Sequence, residues 1–363
     1  MIGLLPGMGT TLTTIEASGQ FDRCALEWRA YARAFGGAYW FGYGGETVDF
    51  DAQGVAVVVP GRFRLGAHAE ALAMPFLRSW AFRRCRALRV LNLTGVVPAL
   101  VARALLGTPF VLQVGYDAPA VARAHGKPVR ARLLRHLQDL AVQRAAGVIY
   151  ATRELFMWYA KWPWQRPPSV VIPNGVDLEH FRPLWRCPPG KSRRRVVYVG
   201  RLSREKNLDL LAAACHRIRA TLHLFGAGPL AARLAALPGV TAYGPVPHYA
   251  LPKILADFDA FCLPSETEGS PKALLEAMAV GVPCLASVGL LPTDGCVVVF
   301  DPQEDLADAL AWVLGDQAQA RRMSEAGRRW VEAHHDLRKT LQDEIAFVHN
   351  AVEGAYAEKA RQA

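Results

Sequence analysis

The feature that most limits what this chain can fold into is a rhythm of apolar runs, four to eight residues long, alternating with helix-length amphipathic stretches. The rhythm runs once, is interrupted, and starts again. Short continuous apolar runs are strands covered on both faces, and the helices between them are crossovers, so the pattern specifies parallel βαβ units. In the first half the candidate strands are Thr11–Ile15, Ala38–Phe41, Val55–Val59, Leu88–Leu93, Pro109–Val114 and Val148–Tyr150. Helices are expected near Phe21–Phe35, Ala67–Arg84, Val96–Leu106 and Lys127–Ala146.

The interruption is a crowd of prolines and tryptophans (Trp162, Pro163, Trp164, Pro167, Pro168) followed by Pro173-Asn174-Gly175, the composition of a stiff connector. Beyond it, strands are expected at Val196–Val199, Thr221–Phe225, Ala260–Leu263, Pro283–Ala286 and Val297–Phe300. Leu208, Leu211, Cys215 and Ile218 recur at helical spacing and give the first helix of this half one buried face. At 363 residues the chain exceeds what one core usually serves. The reading is an α/β protein of two Rossmann-like, doubly wound domains, 1–168 and 169–336, with a final helix over 337–363 packing back on the N-terminal domain. In open parallel sheets ligands bind beyond the carboxyl ends of the strands, so the strand-end loops of both domains are expected to face one cleft.

Composition narrows the classes further. With 52% apolar and 20% charged residues, disorder, collagen-like repeats and a charge-rich coiled coil are excluded. Apolar, nearly uncharged stretches such as Leu91 to Ala102 fall far short of the ~20 residues a membrane span requires. The first residues, Met1-Ile2-Gly3-Leu4-Leu5, carry no basic leader, and a cytoplasmic protein is expected. Seven scattered cysteines read as buried thiols, and no His or Cys spacing offers a metal site.

The charge is lopsided. Up to Pro173 there are 20 Lys and Arg against 10 Asp and Glu, and beyond it 22 against 22, so the whole +10 lies in the first half. Between Arg62 and Arg103 eight arginines meet one acid, Glu70, with Phe63, Phe76, Trp80 and Phe82 among them. Such a stretch suits an anionic membrane surface at the inner face of the membrane, or is a solvated arginine-rich surface. No nucleic-acid-binding signature accompanies it, and nucleic acid is not expected as a partner.

The chemistry concentrates in the second half. In SETEGSPKALLEAMAVGVPCLAS, Ser265 to Ser287, Ser270 reads as a helix cap, Pro271 as the first helical residue and Gly281 as the stop. A helix start beside Gly269 offers free N–H groups to an anion, and Lys272 in the first turn is a cation that a bound phosphate would accommodate. Glu276 lies among Leu274, Leu275, Ala277 and Met278, so it needs hydrogen-bonding partners, for which sugar hydroxyls are suitable; Glu268 lies eight residues earlier. A second clamp follows Val196–Val199, where Gly200 ends the strand and Arg201 and Lys206 suit a diphosphate. Asp257-Phe258-Asp259 reads as a helix end.

The runs VVYVGRLSREKNLDLL and EGSPKALLEAMAVGVPCLAS, with the linker VIPNGVDLEHF, resemble the retaining nucleotide-sugar glycosyltransferases of glycosyltransferase family 4, which have the GT-B fold. The resemblance implies that Arg201 and Lys206 hold the donor pyrophosphate, that Glu276 binds the ribose hydroxyls, and that Glu268 contacts the donor sugar. It further implies that Gly269 and Ser270 give backbone N–H groups to phosphate and that the base lies near Gly226 and Val246. In the first domain the family often has a Gly-Gly loop after the first strand and a histidine after a later one. This chain has Ser18-Gly19-Gln20 and Gly115-Tyr116-Asp117 there, so Gly19 is expected at the pyrophosphate and Tyr116 or Asp117 on the acceptor side.

The function expected is hexosyl transfer from a nucleoside-diphosphate sugar to a lipid-linked or polysaccharide acceptor in cell-envelope glycan synthesis, with no cofactor and no metal. The alternatives are a sugar-nucleotide epimerase, a glycosyl phosphorylase and a non-catalytic nucleotide-sugar binder.

Overall fold

The structure is a computed structural model. It describes residues 1–43, 54–58, 66–124, 126–160, 167–186, 194–266, 268, 270–287, 295–301 and 306–362. The chain divides into two compact units, Met1–Pro173 with Thr340–Ala363, and Asn174–Lys339.

In the first unit seven strands form one parallel sheet: β1 (Ile2–Leu5), β2 (Ala38–Phe41), β3 (Val55–Val58), β4 (Ala87–Val90), β5 (Phe110–Val114), β6 (Gly147–Tyr150) and β7 (Ser169–Val171). Their order is β3-β2-β1-β4-β5-β6-β7. Four-residue runs such as Ala38–Phe41 and Gly147–Tyr150 are buried throughout, because helices cover both faces of the sheet. The order reverses at β1, which pairs β2 on one side and β4 on the other. At their carboxyl ends a Cβ on Gly95 would lie 2.1 Å from the Pro6 carbonyl oxygen, so the loops after β1 and β4 meet backbone to backbone.

The final helix, Leu337–Gln362, lies against this sheet, with Val348, Ala351 and Val352 in one core with Trp28, Tyr31 and Trp40. It is fixed by a buried charge. Arg89 of β4 is 0% exposed and reaches Glu344 Oε1 at 2.6 Å, Gln113 Oε1 at 3.0 Å and the Tyr31 hydroxyl at 3.0 Å. Burial works against the Arg89 charge, and the facing Glu344 more than offsets it, holding the guanidinium above its ordinary range.

Four expectations change here. The first strand is Ile2–Leu5, and Thr11–Ile15 is not a strand but part of the helix Leu12–Ala17. The Thr11 hydroxyl accepts from the Thr14 N–H and the Thr14 hydroxyl accepts from the Thr11 N–H, a reciprocal cap that outweighs the β preference of threonine and isoleucine. Ala67–Arg84 is two helices, Ala67–Leu77 and Ser79–Arg84, parted at Arg78 (φ −119°, ψ 28°), whose guanidinium turns inward to Glu70 Oε1 at 2.5 Å and the Gly42 carbonyl at 3.0 Å. The strand expected at Leu88–Leu93 ends at Val90, because Asn92 accepts from the Thr94 N–H and starts a short 3-10 turn. Ser169–Val171, expected beyond residue 168 in the second domain, pairs with β6 and extends the first sheet, so this unit runs through Pro173.

The second unit is a six-stranded parallel sheet of β8 (Arg195–Val199), β9 (Thr221–Phe225), β10 (Val240–Gly244), β11 (Ala260–Leu263), β12 (Cys284–Ser287) and β13 (Val297–Phe300). The order is β10-β9-β8-β11-β12-β13, reversing at β8. Its entering and leaving segments pair with each other. The Val176 N–H donates to the His335 carbonyl at 2.7 Å, the Leu337 N–H to the Val176 carbonyl at 2.9 Å, and His335 Nδ1 to the Asn174 carbonyl at 2.7 Å.

The six described cysteines form no disulfide. Burial pushes the Cys85 and Cys215 thiols up to about 12, which keeps them protonated and unreactive.

Candidate functional site

The loops at the carboxyl ends of β8, β9 and β11 hold most of the residues expected to act. After β8 the chain turns at Gly200 and runs Arg201-Leu202-Ser203 into the 3-10 turn Arg204–Lys206. Leu202 is fully buried and anchors the loop. The loop after β9 is pressed onto it: a Cβ on Gly226 would stand 1.9 Å from the Gly200 carbonyl oxygen, and one on Gly228 2.2 Å from that of Leu202. Only residues without side chains allow this approach. The Gly200 N–H donates to the Phe225 carbonyl at 2.9 Å and the Leu202 N–H to the Ala227 carbonyl at 3.0 Å, completing the seam. The Arg201 side chain is left exposed, while its carbonyl accepts from the Tyr198 hydroxyl at 3.0 Å.

Lys206 and Glu268, read from sequence as members of separate loops, meet directly. Lys206 Nζ stands 2.5 Å from Glu268 Oε1, which also accepts from the Ser265 hydroxyl at 2.8 Å. Both side chains are largely buried, at 16% and 15% exposure. The Glu266 N–H donates to the Glu205 carbonyl at 3.0 Å, tying the loop after β11 to the loop after β8.

The next helix is Lys272–Val280, stopped by Gly281 in the left-handed region at φ 92°. Here the expected cap is corrected. The residue before the helix is Pro271 rather than Ser270, no side chain caps it, and Ser270 instead offers its carbonyl to Asn174 Nδ2 at 3.0 Å. Lys272 is the first helical residue, at the end of the helix where backbone N–H groups point outward. Gly269 lies outside the described residues.

Glu276 is buried within this helix, and the partner it requires is a side chain that the sequence reading did not single out. His248 Nε2 donates to Glu276 Oε1 at 2.9 Å, and both groups are nearly enclosed. His248 is held in turn by the His180 ring, 5.9 Å away and near parallel, and by the edge of Phe181 at 5.1 Å. The signal was available in principle: a carboxylate among leucines needs a donor, and His248 lies two residues after Val246, which was expected near the base. Val246 is partly buried against the core. Beside Gly226, Phe225 stacks on Tyr243 at 4.5 Å, leaving Tyr243 half exposed.

In the first unit the expected residues have other partners. Gly19 does not follow the first strand. It closes the helix Leu12–Ala17, donating to the Glu16 carbonyl at 2.8 Å, and the loop after β1 is Pro6-Gly7-Met8-Gly9-Thr10. Asp117 Oδ1 accepts from the Ala120 N–H at 3.0 Å and lies 3.5 Å from Arg135, whose guanidinium covers the Trp158 ring at 3.9 Å. Tyr116 stands half exposed at the carboxyl end of β5. Asp259 Oδ2 accepts from the Arg195 N–H at 2.8 Å, a structural role for the acidic pair at the end of its helix. Among the described residues no cluster of three His, Cys, Asp or Glu is arranged to hold a metal, and no helix is long and apolar enough to cross a membrane.

Comparison with known proteins identifies the family and the fold. Residues 193–316 match the family model of glycosyl transferases group 1. Over 285 residues, 69% of this chain and 72% of the relative, the sequence is 31% identical to a GDP-mannose-dependent alpha-mannosyltransferase of Mycobacterium tuberculosis (strain CDC 1551 / Oshkosh). Among solved structures, sucrose-phosphate synthase of Thermosynechococcus elongatus superposes with a TM-score of 0.80 at 18% identity, covering 97% of this chain and 99% of that one. The Anabaena protein HepE, solved in complex with UDP and glucose, gives 0.73 at 16% identity, covering 94% and 97%. With two parallel sheets of this order and those neighbours the fold is GT-B, and the chain belongs to the glycosyl transferases group 1 family.

Proposed function

We propose that this glycosyltransferase moves a hexose from a nucleoside-diphosphate sugar to a lipid-linked or polysaccharide acceptor at the cytoplasmic face of the membrane, with retention of configuration and without a metal. The observation that carries the reading is the Lys206–Glu268 pair, with Arg201 exposed on the same loop and the helix start at Lys272 following the other. Breaking the anomeric bond sends its electron pair to the diphosphate. Fixed positive charge at that oxygen is where catalysis gains most, and Arg201, Lys206 and the helix dipole supply it. An arriving diphosphate competes with Glu268 for Lys206. Glu268, released from its cation, then faces the hydroxyls of the donor sugar, and Glu276, oriented by His248, faces those of the ribose. The acceptor hydroxyl attacks from the side the diphosphate leaves, its proton passing to a phosphate oxygen. The mannosyl donor in the name of the Mycobacterium tuberculosis relative and the UDP bound to HepE support a nucleotide-sugar donor.

The test is thermal unfolding of the wild type and of Arg201→Ala/Lys206→Ala against UDP, GDP, ADP and CDP. A nucleotide at about a hundred times its Kd adds ~2.7 kcal/mol of stability. One base should stabilise the wild type and lose most of its effect in the variant; if no nucleotide acts, the donor reading falls. Product analysis by NMR then reads the anomeric configuration, with an inverted product sinking retention. A rate abolished by a chelator would sink metal independence. An epimerised sugar nucleotide formed without acceptor would favour the epimerase reading.

A further inference from the structure

The helices Ala67–Leu77 and Ser79–Arg84 of the first unit show an outer face that the donor site does not use. Within nine residues four large apolar side chains stand more than half exposed: Leu72 at 56%, Phe76 at 61%, Leu77 at 65% and Trp80 at 54%. Soluble surfaces carry such residues singly, and a run of four marks a contact surface.

The charges around this face are sorted by sign. The one acid of the two helices, Glu70, is buried and taken up by the inward-turned Arg78. Arg83 and Arg84 are exposed at the end of the second helix, Arg84 standing 5.7 Å from the centre of the Trp80 ring. Arg86, the next cation, is already paired with Glu353. The outward side of these helices thus combines leucines and aromatics with two arginines and carries no exposed acid. A protein partner of mixed charge would leave those arginines without a matched array of acids. An anionic bilayer supplies negative charge over the whole plane together with an interfacial layer suited to tryptophan and to the hydrocarbon of leucine and phenylalanine.

We infer that this face docks the first unit on an anionic lipid bilayer, Leu72, Phe76, Leu77 and Trp80 entering the headgroup layer and Arg83 and Arg84 meeting lipid phosphates. The inference deepens the membrane-side part of the proposed function and rests on that reading only for the nature of the acceptor.

The experiment is co-sedimentation of the full chain with phosphatidylcholine vesicles, with and without phosphatidylglycerol, over a salt series. The wild type is expected to bind the anionic vesicles, weakly bind the neutral ones, and release as salt rises. Leu72→Gln/Phe76→Gln, both at exposed positions, should lower the partition coefficient ~tenfold or more. Each of Arg83→Gln and Arg84→Gln should lower it about fivefold and flatten the salt dependence. Failure of the wild type to bind, or unchanged binding by the apolar pair of substitutions, overturns the inference. So does light scattering that finds a wild-type dimer which Leu72→Gln/Phe76→Gln turns into a monomer, since the face would then be a subunit contact. Nucleotide-induced stabilisation, measured on the same samples, should be equal in all variants. Its loss from the wild type would strike the donor reading and leave the docking result standing.

Discussion

The two units share a scaffold and use charge in opposite ways. Each is a parallel sheet whose order reverses at a strand paired on both sides, and in each a glycine presses one strand-end loop onto another, Gly95 on Pro6 and Gly226 on Gly200. In the first unit the most buried ion pairs are internal: Arg89 with Glu344 ties a helix to the sheet, and Arg78 with Glu70 pins the break between two helices. In the second the Lys206–Glu268 ion pair and the His248–Glu276 hydrogen bond involve strand-end loops and the helix that follows. A buried charge is costly in either place. What differs is that one set of partners ties elements of the fold together, while the other includes the residues proposed above to meet the donor.

That contrast is breakable. The largest effect is expected from Glu344→Ala, which leaves Arg89 charged and fully enclosed; loss of such a partner costs ~3–5 kcal/mol. Urea unfolding should reveal this with nucleotide-induced stabilisation of the second unit retained. Unchanged stability would mean that Tyr31 and Gln113 satisfy Arg89 without the carboxylate. Next, Gly226→Ala forces a methyl onto the Gly200 carbonyl, and overpacking of this kind costs ~1–3 kcal/mol. Here nucleotide-induced stabilisation should fall together with Tm, because the shifted loop carries Arg201.

A smaller effect separates orientation from bulk. His248→Ala should raise the donor KM about tenfold with little change in kcat, the loss expected for one hydrogen bond to a carboxylate, and His248→Gln should recover part of it. Equal losses in both variants, confined to Tm, would make His248 a packing residue only. The smallest effect concerns His335, whose folded-state affinity for protons is lowered by burial, with the neighbouring His334 adding to the shift and the hydrogen bond to Asn174 opposing it. The unfolded chain therefore binds the proton first, near the ordinary value of 6.5, and stability should decline as pH falls below it. Replacing His335 with Gln should flatten this part of the pH profile, and an unaltered slope would assign it to other groups.

Most strands are legible because buried parallel strands are largely apolar runs, and the bounds expected for Ala38–Phe41, Thr221–Phe225 and Ala260–Leu263 agree with the structure; Val240–Gly244, an edge strand whose residues are only partly buried or exposed, escapes that pattern. Where local side-chain hydrogen bonds compete, the pattern misled, as at Thr11–Thr14, and the correct first strand, only four residues with a glycine inside, passed unnoticed. Positions of charged residues on strand-end loops could be read from the strands before them. Which of those residues touch could not, because Lys206 and Glu268 are 62 residues apart and meet only through the adjacency of β8 and β11. His248 was missed for the same reason, 28 residues from the glutamate it holds.

The paired segments at Val176 and Leu337 make the second unit an insertion within the first, since the first unit resumes at Thr340. During synthesis, therefore, the unit that begins earlier is completed later. Arg89 leaves the ribosome more than two hundred residues ahead of Glu344, so its counter-ion arrives only with the final helix. The second unit, contiguous in sequence, can fold meanwhile. A nascent chain ending at Lys339 should carry one folded unit and one that waits on the last helix, a difference that protease digestion of stalled ribosome complexes would display.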